Sequence, residues 1–135
     1  MNRIIYPTPD GGVAVIIPTE SVEAALKDVP TGVPYEIVSA DDIPTDRFFR
    51  SAWKADGTTI KVDMVKAKTI GHDIRRQQRA AEFAPHDEVI AKQIPGKDVS
   101  AAEAARQAIR DKFDVVQTDI DAATTPQQIK EALHM

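Results

Sequence analysis

Two hydrophobic rhythms divide the chain. Up to Val62 the apolar residues come in short runs, and from Asp63 onward they recur every three or four positions. Arg3-Ile4-Ile5-Tyr6 and Val13-Ala14-Val15-Ile16-Ile17 read as two strands. The stretch between them, Pro7-Thr8-Pro9-Asp10-Gly11-Gly12, is turn chemistry: proline fixes φ and glycine tolerates positive φ. Val13, Val15 and Ile17 share one face. Because the run is apolar on both faces, it predicts a central or covered strand. Thr19–Asp28 reads as a short helix, with Val22, Ala25 and Leu26 at i, i+3 and i+4, and Pro30-Thr31-Gly32 ends it. Tyr35–Val38 alternates as a third strand, and Asp41–Arg47 is a polar connection. Phe48, Phe49, Ala52 and Trp53 fit a helical turn. It runs into a hairpin whose turn is Asp56-Gly57, between Ala52–Lys54 and Thr59–Val62.

Asp63 is placed to cap a long helix by accepting from the free amides of its first turn. Met64, Ala67, Ile70, Ile74 and Ala81 form its apolar stripe, which Gln77 and Gln78 interrupt. Lys66, Lys68, Arg75, Arg76 and Arg79 are assigned to the opposite face. Gly71 lies on the stripe, where glycine costs roughly 1 kcal/mol against alanine. That cost predicts a close crossing with another element. Pro85 removes one helical hydrogen bond and predicts a kink or restart near Phe83, with Val89 and Ile90 carrying the stripe beyond it. Ile94-Pro95-Gly96-Lys97 reads as a turn between two helices. Ser100 and Glu103 have the spacing of a capping box. Ala101, Ala105, Ala108, Ile109 and Phe113 give the returning helix a small-residue face. Thr125-Pro126-Gln127-Gln128 starts a last short helix, with Ile129 and Leu133 one turn apart. The expected fold is α+β. A small N-terminal antiparallel β-sheet unit with a short helix spans residues 1–62, and a helical hairpin with a short C-terminal helix spans 63–135.

Composition narrows the function. Hydrophobic residues make up 42% of the 135 positions and aromatics 5%, so the core is aliphatic and modest. The net charge of −4 argues against a general nucleic-acid binder. No apolar run approaches the roughly 20 residues of a membrane-spanning helix, and no apolar segment before Pro7 resembles a signal peptide. Without cysteine there is no disulfide framework and no thiolate chemistry. Charge is uneven: residues 58–97 hold eight bases and five acids, while the segments on either side are acidic. That basic middle either pairs internally or presents a face to a partner.

No catalytic, cofactor-binding or metal-binding constellation emerges. His72, His86 and His134 have no second imidazole at i+3 or i+4, and there is no cysteine, so a transition-metal site would need ligands converging from distant segments. Asp41, Asp42 and Asp46 lack the ligand alternation of a calcium loop. Asp10-Gly11-Gly12 lacks the lysine and hydroxyl residue of a phosphate loop. Binding, not catalysis, is therefore the expectation. Two clusters are the candidate protein-binding residues. Arg75, Arg76 and Arg79 form the densest basic group, as either a solvated helix face or a docking face. Phe48, Phe49 and Trp53 form an aromatic group, as either local core or an anchor patch.

Several motifs carry a family resemblance. Trp53-Lys54-Ala55-Asp56-Gly57, Val62-Asp63-Met64-Val65-Lys66-Ala67, Ile74-Arg75 and Arg79 are followed by Asp87, then by Arg106-Gln107-Ala108-Ile109-Arg110-Asp111. The ending Ile120–Ile129 and the stretch Ile43–Trp53 complete the pattern. In this pattern the chain resembles small tail proteins of tailed bacteriophages, namely tail assembly chaperones and minor tail-associated proteins. Gly71-His72 and Pro95-Gly96-Lys97 depart from it. The resemblance implies a non-enzymatic protein that binds other phage tail proteins, as a tail or tail-fibre assembly chaperone or a minor virion component. A homo-oligomer is compatible with that role. The implied location is the host cytoplasm during assembly, and the virion tail if the protein is retained there. A phage-encoded inhibitor of a host protein is the alternative. The resemblance supplies no catalytic residue and no cofactor.

Overall fold

The computed structural model describes residues 1–92 and 99–135. The order is β1 (Asn2–Pro7), β2 (Val13–Ile16), α1 (Val22–Ala25), β3 (Glu36–Ser39), β4 (Trp53–Asp56), β5 (Thr59–Val62), α2 (Met64–Lys92), α3 (Val99–Ala122) and α4 (Pro126–Ala132). The fold is α+β, with the strands first and a long helical pair after them. The chain divides into two compact units, Met1–Ala67 and Lys68–Met135.

In the first unit β1 lies between β2 and β3, antiparallel to both. Of the two readings of Val13–Ile17, central or covered, the structure corrects the first and keeps the second: β2 is an edge strand, with Val13 buried and Val15 packed against the core. The central strand is β1, whose Ile4 and Ile5 point to opposite faces and are both buried, whereas β2 is an edge. Ile17 falls past the end of β2 and is exposed. Strand register then builds the core. Val15 pairs with Ile5, Val13 with Pro7 and Val38 with Arg3, so Ile5, Val13, Val15 and Val38 share one face. In the separate β4–β5 hairpin Trp53 pairs with Val62 and Ala55 with Ile60. These two faces pack together around Ile5, Val13, Val38, Trp53 and Ile60. The hairpin turn differs by one residue from the expectation. Asp56 pairs with Thr59, so the loop is Gly57-Thr58, with positive φ at Gly57 (62°) only. That is the II′ arrangement, which matches strand twist and favours glycine at the first loop position.

Asp63 caps α2 as its position predicts, its Oδ1 accepting from Val65 N–H (3.0 Å) and Lys66 N–H (3.3 Å). The helix continues through Pro85 to Lys92 over 29 residues. The turn placed at Ile94–Lys97 lies outside the described residues.

The second unit is a hairpin of α2 and α3 with α4 folded onto it. Polar contacts fix the antiparallel direction. Lys68 and His72 on α2 meet Asp121 on α3, Glu82 meets Lys112, and Asp87 meets Arg106. The inward face of α3 is Ala102, Arg106, Ile109, Phe113, Val116 and Ile120. Its steps alternate between four and three residues, the spacing of a seam between packed helices. Ala101 and Ala108, expected on that face, are exposed, since each sits one residue (about 100° of helix) off the seam. Ser100 is already inside α3, so it does not cap the helix. On α2 the buried positions are Ala67, Gly71 and Phe83, with Ile74 and Gln78 half-buried. Ala81 is exposed. Gln78 does not interrupt the stripe: its Nε2 donates to the Leu133 carbonyl at 3.3 Å.

Gly71 is where the second unit closes. A Cβ there would lie 2.7 Å from Ile129 Cγ2 and 3.5 Å from Ile120 Cγ2. The bare glycine lets α4 approach the α2 backbone, with α3 in ordinary contact beside it. A helix of seven residues has little stability of its own. Ile129 and Leu133, both buried, hold α4 in place, each contributing roughly 1.5–3 kcal/mol. Thr125 caps its start by accepting from Gln128 N–H at 3.3 Å, and Pro126 follows at the first helical position. Its end is a Schellman turn. His134 N–H donates to the Glu131 carbonyl and Met135 N–H to the Lys130 carbonyl, both at 3.0 Å. His134 takes the left-handed position (φ 59°) that glycine usually fills.

Two substitutions test this packing. Gly71→Ala is expected to lower stability by about 1–3 kcal/mol, despite alanine's higher helix propensity, because the added methyl meets the branched Cγ2 of buried Ile129. Urea unfolding measures it, and a more stable variant would show that the two helices do not meet there. His134→Gly should raise stability by about 1 kcal/mol by removing the left-handed strain, read as a higher melting temperature.

Candidate functional site

The three arginines on α2 do not form one solvated stripe. Arg76 is exposed, and its Nη1 pairs with Asp73 one turn back at 2.8 Å. Arg75 is half-buried and donates from Nε to His72 Nδ1 at 3.2 Å. Arg79 is half-buried, with its guanidinium 4.7 Å from the centre of the Phe83 ring. Lys66 and Lys68 are occupied too. Lys66 Nζ reaches the Asp10 carbonyl at 3.4 Å, and Lys68 Nζ the Asp121 carbonyl at 2.9 Å. The basic arm therefore presents Arg76 outward, with Arg75 and Arg79 beside it, each already in local contact.

The aromatic trio lies in the first unit and is largely core. Trp53 and Phe49 are 1% and 3% exposed, too buried to anchor a partner. Phe48 is half-buried and meets Phe49 edge to face at 4.7 Å. Arg50 covers the indole at 4.6 Å and donates from Nη1 to the Val13 carbonyl at 3.0 Å, which ties the aromatic segment to the edge of β2. An aromatic anchor patch is thus corrected to a core whose outer layer is an arginine.

His72 is a cross-helix link, not a solvated side chain. An arginine Nε–H can only donate, so Nδ1 of His72 accepts. Nε2 is then the donor to Asp121 Oδ1 at 2.8 Å, and the chain Arg75–His72–Asp121 joins α2 to α3. On the outer side of the same unit, α3 and α4 enclose an open groove of about 600 Å³. Val116, Ala122 and Ala132 wall it, and Val115, 60% exposed, stands beside them. A second hollow of about 320 Å³, over Phe113 and Leu133, shares Lys112, Val116 and His134 with the first. The two make one concave surface passing the end of α4. Among the described residues no cluster of three or more potential metal ligands occurs.

Two exposed features of the first unit carry charge perturbations. Asp10 sits in the β1–β2 turn, where its carboxylate accepts from the Thr8 hydroxyl and from Gly12 N–H, and both hold its pKa below the ordinary aspartate value. Asp56 is lowered by the hydrogen bond and charge of Lys61, 2.6 Å away, and Lys61 is raised by the same pair.

The chain matches no known family, no curated protein and no solved structure.

The groove was not anticipated from sequence, yet one signal points to it. Val115 and Val116 are adjacent in a helix whose seam steps by three and four, so only one of them can face inward. The His72–Asp121 link spans 49 residues and has no local signature.

The Asp56–Lys61 pair sets a pH expectation. A lowered aspartate adds stability that is present above its ordinary pKa and lost as pH falls through the lowered value. A raised lysine adds stability present below its ordinary pKa and lost as pH rises through the raised value. Their pair therefore supports the hairpin across the neutral range. An NMR titration should place the Asp56 carboxyl below an aspartate in an unfolded peptide, and Lys61→Gln should return it to that value. An Asp56 midpoint unmoved by Lys61→Gln would exclude the pair in solution.

Proposed function

We propose that this chain is a non-enzymatic bacteriophage tail protein that binds other tail components, as an assembly chaperone or a minor virion part. One observation carries the reading. Two parts of the tail-protein pattern, far apart in sequence, meet across the hairpin: Arg106 Nε lies 2.9 Å from Asp87 Oδ1, an ion pair without the alignment of a hydrogen bond. Other pattern residues have equally definite places. Trp53 is core, Asp63 caps α2, Ala67 is buried, and Gln107 bridges Arg110 and Asp111. Asp63, Asp87 and Arg106 of this pattern cap or link the helical hairpin, an element suited to presenting a long face to a partner. The face assigned to binding is the basic arm, with Arg76 outermost.

Proteomics of purified virions and co-purification from infected lysate test the role. Retention in virions indicates a minor virion part. Association with tail proteins but absence from virions indicates a chaperone. Capture of a host factor with no tail protein would replace this reading with that of an inhibitor. For the surface, a triple Arg75→Gln, Arg76→Gln, Arg79→Gln variant is expected to lose about 1 kcal/mol of stability through its His72 and Phe83 contacts. Its affinity for the co-purifying tail protein should fall at least tenfold at a temperature where it remains folded. Unchanged affinity at low salt would remove the basic arm as the docking face.

A further inference from the structure

We infer that the groove between α3 and α4 docks a basic amphipathic helix of a partner protein. The inference goes beyond the basic arm of α2: it assigns a second surface, of opposite charge, and holds whatever pathway the partner belongs to.

Shape comes first. Two antiparallel helices of unequal length leave a trough, and α4 ends at Ala132 while α3 continues. The trough of about 600 Å³ runs into the second hollow of about 320 Å³ through shared Lys112, Val116 and His134. A helix laid in such a trough inserts side chains at i, i+3 or i+4, and i+7. Val115, Val116, Ala122 and Ala132 supply the apolar part of the lining, beside the polar Gln128 and His134, and Val115 exposes 60% of its surface. An exposed valine beside an apolar cleft gains from being covered, at about 25 cal/mol per Å² of apolar surface removed from water.

Charge then selects the occupant. Three ionised side chains edge the main groove: Lys112, Asp119 and Glu131. Lys112 is neutralised by Glu82, with its Nζ 2.9 and 3.0 Å from the two carboxylate oxygens. Asp119 and Glu131 are exposed and have no side-chain partner among the described residues. The groove therefore combines an apolar strip with two uncompensated carboxylates, one on each helix. A complementary ligand brings lysines or arginines flanking an apolar stripe. A second copy of this chain fits poorly. Groove against groove would bring four carboxylates together. The basic arm of another copy is the face assigned above to tail components, and it presents Arg76 alone as an exposed guanidinium, with Arg75 and Arg79 half-buried.

The test uses the full chain and two synthetic helical peptides. One is built of leucine, alanine and lysine, with leucines at i, i+4 and i+7 and lysines on both flanks. The other carries glutamate in place of every lysine. Calorimetry should show the lysine peptide binding at least tenfold more tightly than the glutamate peptide, with affinity falling as salt rises. The double variant Asp119→Lys, Glu131→Lys should reverse that preference. Val115→Lys should weaken the lysine peptide at least tenfold. All three positions are exposed, so melting curves like the wild type's are expected, and each variant is titrated only after that check. Absence of binding, equal affinity for the two peptides, or an unchanged preference in the double variant would overturn the inference. So would a dimer in light scattering that Val115→Lys dissociates, since the occupant would then be a second copy. None of these readouts involves a tail protein, so failure here is separable from failure of the tail reading.

Discussion

The second unit depends on one close approach. At Gly71 the backbone of α2 has no side chain, and a methyl group of Ile129 takes the space of a Cβ while Ile120 lies in contact beside it. Mid-helix glycine is ordinarily a net cost. Here it is offset because α4 has only seven residues and needs deep contact to stay folded. With Ile129 seated on Gly71, Leu133 falls beside Gln78 and the amide of Gln78 closes the end of α4. The path of α4 along α3 follows, and with it the groove between them.

Electrostatics sets direction more than stability. Exposed ion pairs contribute little individually, typically 0–1 kcal/mol. Yet the contacts between Lys68, His72, Glu82 and Asp87 on α2 and Asp121, Lys112 and Arg106 on α3 are consistent with a single antiparallel register. Sliding one helix by a turn would break all of them and misplace Phe113 and Ile120 as well. The basic middle of the chain is thus mostly consumed internally. On α2 Arg76 stays outward, paired with Asp73, and Asp119 and Glu131 stand exposed beside the groove.

In the first unit the same economy appears in apolar terms. The unit has a small sheet and a separate hairpin, and neither alone buries enough. Trp53 joins them, and Arg50 covers its exposed side while holding the Val13 carbonyl. The aromatic residues that look like a contact patch in the sequence are spent on this junction.

Local chemistry determined much of this protein. The change of period at Asp63, its cap, the Thr125-Pro126 helix start and the strands at Arg3–Tyr6 and Tyr35–Val38 all follow from interactions within a few residues, which the order of side chains records directly. Even Gly71 was legible, because a glycine on an apolar helical stripe is unfavourable unless something approaches it. The partner was not legible, since Ile129 lies 58 positions away. Three further matters were decided only by the tertiary structure. Whether Ala101 or Ala102 faces inward depends on the seam between α2 and α3. Whether β2 is central or at an edge depends on which strand returns beside β1, a choice of pairing that apolar content does not encode. Whether an arginine is free or taken depends on what its guanidinium meets, as Phe83 meets Arg79 and His72 meets Arg75. Period and capping act over one turn of chain, but packing and charge pairing act between segments that only the folded chain brings together.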